Sequence, residues 1–435
     1  MEWGLLGSEA LAEGRRTRTL GLGSVVRKFN DLAVPGLGGV WFGKQLFLSA
    51  LGVHLAEEAQ NVGKRVQNIE VANAVEALAC WLALKSNGWN RDPRLRGATK
   101  MRDRFDLSFA NVRKRSFYVT QPMRQATIQP LRALGLVESS GERFNAFRCS
   151  ERGREFIEAT SDGSKPYHNS LIKHLVLWVR GAHDKVTTSP ELTRALSPLE
   201  PLPANARNIL RERLIQGSDN TAARRRRMLE WVEVLRQNTQ VQITWDAKPA
   251  NLDDHHWRDL HVGSLFFAAR DAAISLLDWI EAHIANVDSR QLSLDEPLPQ
   301  AIEQSIAWLR ERALDFLDRQ YDPSPEKAAE LFCRECTEKE DKRLLEKLIA
   351  RDGRGLRQSD RDIVPGAAFR GIQVEEPETA RSEEEDGAET VVRQSIPLPE
   401  GISHRVRNLF FFNLDLMGEL NDWLYESIEE AGEER

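Results

Sequence analysis

Apolar residues recur on a helical period over most of the chain. Residues 69–84 (IEVANAVEALACWLAL) place them every three or four positions, and Asn68 stands where an amino-terminal cap is expected. Residues 169–179 are apolar nearly all round, and residues 222–235 join four arginines to a stripe through Leu229, Val232 and Leu235. Residues 260–284 form the longest strongly periodic stretch and predict the core helix of a middle domain. Residues 301–317, 325–348 and 409–428 are amphipathic as well, and proline-rich breaks at 197–203, 297–299 and 323–325 separate these segments. Strand-like text is confined to residues 136–138, 144–149 and 240–245. The pattern predicts a mainly α fold with a small β element.

Composition narrows this picture. The chain has 435 residues, 41% of them hydrophobic and 29% charged, which is enough apolar material to exclude wholesale disorder. Its net charge of -6 excludes a uniformly basic, histone-like binder. The charge is uneven, however. Residues 85–155 carry 16 Lys/Arg against 7 Asp/Glu, a local +9, whereas residues 375–389 carry 8 acids and one base. A basic window inside an acidic protein points to a polyanionic partner. The acidic stretch lacks apolar periodicity and reads as a flexible linker. Four cysteines cannot make a disulfide framework, so a cytoplasmic, reducing compartment is expected. Residues 1–14 have no basic region of the kind a signal peptide carries, and residues 32–56 are interrupted by Lys44, His54 and several glycines, so no membrane association is expected.

The informative segment is residues 117–159, FYVTQPMRQATIQPLRALGLVESSGERFNAFRCSERGREFIEA. A helix ends at Leu131-Arg132-Ala133-Leu134-Gly135-Leu136-Val137, where Gly135 is placed to take the left-handed conformation and Leu136 and Val137 return the chain to the core. Ser139 to Glu142 is turn chemistry between two short strands, and Ser150 opens a following helix. Phe144 and Phe147, three apart, should face opposite sides of a regular second strand. This order of helix, hairpin and serine-started helix resembles the winged-helix DNA-binding domain of the MarR-like bacterial families. The resemblance spans about residues 68–159 and implies a recognition helix followed by a β-hairpin wing. On that helix Gln121, Arg124, Gln125, Thr127, Gln129 and Arg132 are residue types that pair with base edges and phosphates in a major groove. Arg143 and Arg148 in the wing, and the cluster Arg113-Lys114-Arg115 before the helix, are placed for phosphate or minor-groove contact. Pro130 lies inside the helix and should kink it.

Four other places carry candidate chemistry. Residues 38–44 have the glycine-lysine spacing of a phosphate-binding loop, but Gln45 stands where Ser or Thr would ligand magnesium, so a glycine-rich turn into a helix is the expectation. Cys333 and Cys336 form a lone C-x-x-C without two further ligands for zinc, and read as incidental helical cysteines. Residues 253–261 gather His255, His256 and His261 with Asp253, Asp254 and Asp259. His255 and Asp259 share a helical face, as a metal-dependent hydrolase requires, but a polar helix start explains them as well. The four arginines 224–227 read as a solvated face or as an extension of a DNA path.

Together these features lead to the expectation of a non-enzymatic protein that contacts duplex DNA through a basic winged helix and needs no metal or cofactor. Its parts are an amino-terminal helical segment (1–67), the winged helix (68–160), a helical domain for oligomerisation or partner docking (165–350), an acidic flexible linker (351–395) and a carboxy-terminal amphipathic helix (396–435). The rival is a helical adaptor subunit of a multiprotein complex. In architecture it resembles the kleisin-type subunits of chromosome-maintenance or plasmid-defence complexes, which also pair a winged helix with long helices and an acidic linker.

Overall fold

The apolar residues of 43–61 are spread around the helix rather than gathered in one stripe, a pattern that suits a helix surrounded by others rather than one lying at a surface. The computed structural model, which describes residues 18–182, 189–216, 220–237, 243–369, 371 and 396–425, places that helix at the centre of the larger of two compact units. This unit comprises Ser24–Phe267, Arg319–Lys327 and Glu384–Arg435; the other comprises Met1–Gly23, Ala268–Asp318 and Ala328–Glu383. The boundaries expected near residues 67 and 160 therefore fall inside one unit, and the expected domain 165–350 is divided between both. The reason is the central helix, whose buried faces need neighbours from both sides of those boundaries. The fold is mainly helical, 61% helix and 4% strand.

In the larger unit α1 (Gly23–Ala33) leads through a glycine-rich turn to the central helix α2 (Gly43–Asn61). Around α2 pack α3 (Asn68–Ser86), α6 (Arg124–Ala133), the hairpin of β1 (Val137–Ser139) and β2 (Phe147–Cys149) through β2, α7 (Glu151–Ser161) and α8 (Leu171–Arg180), while the short turns α4 (Ala98–Met101) and α5 (Phe109–Val112) lie against α3. The hairpin is antiparallel, with Val137 opposite Cys149 and Ser139 opposite Phe147. Further along come α9 (Pro190–Leu196), α10 (Ala204–Ile215), α11 (Asn220–Gln237) and the first half of α12 (Asp254–Asn286). Residues 243–245, expected at the end of a strand, are irregular; residues 240–242 lie outside the described residues. Asn68 does not cap α3. Gln67 holds that position, its N–H donating to the Glu70 carboxylate at 3.0 Å, and the Asn68 side chain instead donates to the carbonyls of Phe144 and Phe147.

α12 continues into the smaller unit, followed by β3 (Leu292–Ser293), α13 (Gln300–Leu317), α14 (Ala328–Cys336), α15 (Asp341–Asp352), β4 (Leu356–Ser359) and β5 (Asp362–Pro365). The single amphipathic segment expected over residues 325–348 is thus two helices. The strands form an antiparallel sheet in the order β3-β5-β4. Part of the expected linker is therefore ordered, because Leu356 and Ile363 turn fully into the core and Arg361 pairs with Asp295 at 3.0 Å. The acidic run 375–389 lies outside the described residues. In this unit Arg18 bonds Asp278 and Asp352, each at 3.0 Å, and Glu281. Burial still pushes the Asp278 carboxyl up to about 6, against the pull of Arg18. α12 is one helix long and apolar enough by composition to cross a membrane, and 67% of its most apolar stretch is buried inside the protein, as in a core helix.

The chain then returns to the larger unit through α16 (His404–Met417). This helix is buried nearly all round rather than amphipathic, and Asp415 accepts a hydrogen bond from the Gly43 N–H at 2.8 Å. Residues 426–435 lie outside the described residues.

Candidate nucleic-acid interface

α6 is positioned from its amino end by a buried carboxylate. Glu76, on α3, accepts from the N–H groups of Met123 (2.7 Å) and Arg124 (2.9 Å) and from the Tyr118 hydroxyl (2.9 Å). A carboxylate at the positive end of a helix dipole is favoured there. Burial nonetheless raises the Glu76 carboxyl above its ordinary range, with the three donors opposing it. The helix runs through Pro130, with the Gly38 backbone close enough that an added Cβ would stand 2.9 Å from the proline ring.

This seating decides which candidate residues reach solvent. Arg124 is only 5% exposed, donates from Nε to the Asn73 side chain at 2.7 Å, and lies over the Phe144 ring. Thr127 is wholly buried, its hydroxyl donating to the Arg124 carbonyl at 2.9 Å. Positions 124, 127 and 131 lie on one helical face, and that face turns inward. Arg124 and Thr127 are therefore corrected from base readers to packing residues. Gln129 is half-buried and donates to Asp31 at 2.7 Å. Gln121 is half-buried, and its carbonyl accepts from Arg96. Gln125 and Arg132 remain exposed.

The hairpin presents its two arginines outward. Arg148 stands opposite Glu138 in the ladder, and Arg143 and Arg148 are both exposed. The second strand is shorter than the sequence pattern suggested, because Phe144–Ala146 forms a 3₁₀ turn. That turn brings the Phe144 and Phe147 rings to the same side, with centroids 5.2 Å apart and both buried. Ser150 caps α7, accepting from the Gly153 N–H at 2.9 Å, and Gly135 has a φ of 67°.

Arg113, Lys114 and Arg115 follow α5 and are exposed. Arg113 lies 3.7 Å from Glu70 and over the Phe109 ring. The first two turns of α3 thus meet three parts of the candidate surface: Asn68 holds the loop end of the hairpin, Glu70 faces Arg113, and Asn73 holds Arg124. Asn73 and Glu76 were not singled out from sequence. Glu76 had a visible signal, an acid inside an otherwise apolar run.

Part of the local +9 has a structural use. The stretch between α3 and α6 has little regular structure, so its carbonyls need donors from elsewhere. Arg96 donates to the Gln121 carbonyl (3.2 Å), Lys100 to that of Tyr118 (2.6 Å) and Arg104 to that of Lys100 (3.2 Å). Arg94 is buried and paired with Asp92 at 2.8 Å. Trp81 and Trp178 add indole donors to the carbonyls of Arg104 and Leu107.

The other candidate places resolve into packing. At residues 38–45, Gln45 accepts from the Trp41 N–H (2.9 Å), Lys44 is buried and donates to the Ala195 carbonyl (2.7 Å), and Asp415 stands at the helix amino terminus where a phosphate would sit. Burial lowers the Lys44 ammonium to about 8. Cys333 and Cys336 are buried on α14 without a disulfide, and burial pushes the Cys336 thiol up to about 12. In the 253–261 cluster, Asp259 accepts from Arg224 (2.7 Å) and the Tyr321 hydroxyl (2.7 Å), and the same guanidinium lies 2.8 Å from His255 Nδ1, so a guanidinium occupies the place a metal would need. Among the described residues no group of three His, Cys, Asp or Glu side chains is placed to hold a metal ion. Within the arginine run only Arg226 is exposed. Arg224 and Arg225 turn inward, and Arg227 pairs with Asp253.

His256 is fully buried, with Nε2 3.0 Å from the Ala33 carbonyl, and burial lowers its pKa to about 4. A depressed histidine contributes stability that is present above its ordinary value of 6.5 and is lost as pH falls toward 4. The melting midpoint should therefore fall across that window. His256→Gln should flatten the fall, by about 3 kcal/mol at its acid end. Parallel pH profiles of both proteins would contradict this assignment.

No family model, curated protein or solved structure matches the chain.

Proposed function

We propose that α3, α6, the β1–β2 hairpin and α7 form a winged helix through which this non-enzymatic protein holds duplex DNA, chiefly by its phosphates. The observation that carries this reading is the gathering of Arg113, the loop end of the hairpin beside Arg143 and the amino end of α6 around the first two turns of α3, with Lys114, Arg115 and Arg148 exposed. The burial of Arg124 and Thr127 removes two residues that would have read base edges, so phosphate contact outweighs sequence discrimination. The remaining helices would serve oligomerisation or partner docking. A second reading, the helical adaptor, is favoured by apolar side chains left exposed in the smaller unit, Trp308, Leu314 and Leu331 among them.

Duplex affinity measured against salt tests the first reading. Binding should weaken steeply as salt rises, and replacing Arg113, Lys114 and Arg115 by alanine should flatten the log–log slope by up to about 0.9 per lost phosphate contact. Arg143→Ala should weaken all duplexes alike. Arg124→Ala should lower the melting temperature without changing sequence preference. A parent that fails to retard duplex DNA at moderate salt, or a triple variant with the parent's slope, would leave the adaptor reading in its place.

A further inference from the structure

The larger unit holds a second basic feature, distinct in shape from the hairpin surface. A cleft of about 990 Å³ opens between α1 and the loop after it, the carboxyl half of α6, the end of α10 and the first turns of α11 and α12. Leu32, Pro35, Ala133 and Ala222 give it apolar walls. Among the described residues its cationic lining is Lys28, Arg213, Arg224 and Arg225, with the His255 ring beside Arg224 and one carboxylate, Asp31, facing them. That carboxylate is already engaged, since Arg405 pairs with it and Gln129 donates to it at 2.7 Å.

The guanidinium groups are held in place before any ligand arrives. Arg225, only 4% exposed, donates to the carbonyls of Leu214 (2.9 Å) and Pro35 (3.3 Å). Arg224 donates to the Leu32 carbonyl (3.1 Å) and is oriented by Asp259. Arg213, half-exposed at the rim, donates to the Leu134 carbonyl (2.6 Å) and to Gln216 (2.6 Å). Fixed guanidinium forks match phosphate oxygens and lose little freedom on binding. The volume is that of a small-molecule site. Because the two inner arginines are recessed, a rigid duplex laid across the mouth would not reach them.

We propose that this cleft binds a small ligand carrying two or more linked phosphates, with Arg224 and Arg225 as its floor and Lys28 and Arg213 as its rim. The inference stands apart from the duplex reading, because neither Arg113 to Arg115 nor the hairpin lines the cleft.

Titration calorimetry of the full chain with inorganic pyrophosphate, and with orthophosphate for comparison, tests it. The expected result is one pyrophosphate per chain, bound more tightly than orthophosphate. Lys28→Ala and Arg213→Gln should each weaken pyrophosphate about tenfold, the usual effect of removing one charge-assisted hydrogen bond. Lys28 is half-exposed, so its variant keeps the test decisive if Arg213→Gln fails to fold. Both variants should hold duplex DNA as the parent does, and the Arg113, Lys114 and Arg115 triple variant should bind pyrophosphate as the parent does. Absence of pyrophosphate binding, unchanged affinity in folded Lys28→Ala, or binding of a 5′-phosphorylated oligonucleotide without binding of free pyrophosphate would each overturn the proposal.

Discussion

Replacing Glu76 by alanine should cost the protein about 3 kcal/mol or more and detach the amino end of α6. Three donors converge on this one carboxylate: the N–H groups of Met123 and Arg124 and the hydroxyl of Tyr118. All three residues are buried, so no solvent replaces the lost acceptor. Each orphaned buried donor costs about 1–3 kcal/mol, and the cavity left by the side chain adds to that. Glu76→Gln keeps one acceptor oxygen and should cost less. The pH dependence separates charge from geometry. Because burial raises the carboxyl above its ordinary value of 4.5, the native state holds this proton more tightly than the unfolded chain does. The stability that Glu76 supplies through this shift is thus fully present below 4.5 and declines as pH rises through the raised value. The glutamine variant should accordingly approach the parent as pH rises. Chemical denaturation across pH measures this, and a Glu76→Ala protein as stable as the parent would refute the role of the carboxylate.

Gly52→Val should be at least as damaging, for a reason of space alone. At the crossing of α2 and α3, a Cβ on Gly52 would stand 2.4 Å from the Cα of Ala72 and 2.6 Å from its Cβ. The obstacle is backbone, which cannot rotate away, so the two helices must separate along the most buried seam of the larger unit. Gly→Ala in a helix ordinarily gains up to about 1 kcal/mol from propensity. Overpacking of this kind costs about 3 kcal/mol and outweighs it, and valine, with lower propensity and two more methyl groups, has less to offset the clash. Gly141, with open space around its Cβ position, supplies the control: Gly141→Ala should leave the melting curve within about 0.5 kcal/mol of the parent. Equal melting temperatures for Gly52→Val and Gly141→Ala would rule out the close approach.

Local chemistry in the 117–159 segment was readable from the chain itself. Gly135 ends its helix in the left-handed region and Ser150 caps the next one, because both roles depend on residues a few positions away. The inward turn of Arg124 and Thr127 was not readable. By residue type both belong to a polar face, and only Asn73 and the Phe144 ring, brought from other elements, make a buried place for the guanidinium. Similarly, β4 and β5 each contribute one fully buried apolar residue, Leu356 and Ile363, too few to stand out beside the acidic run that follows. The cleft was invisible for a related reason. Lys28, Gln129 and Arg213 converge from distant parts of the chain and share no motif.

The partnership between Asp415 and Gly43 spans 372 positions, and it bears on how the protein is made. Ribosomes release roughly 5–20 residues each second, so α2 waits roughly 20–70 s for the helix that completes its surroundings. During that interval the apolar faces of α2 and α3 are available to chaperones or to other nascent chains. Every residue of the basic hairpin surface has been synthesised by then, yet the core beneath it is unfinished. A message that ends early, even one encoding the whole hairpin region, should yield a chain that quality control removes.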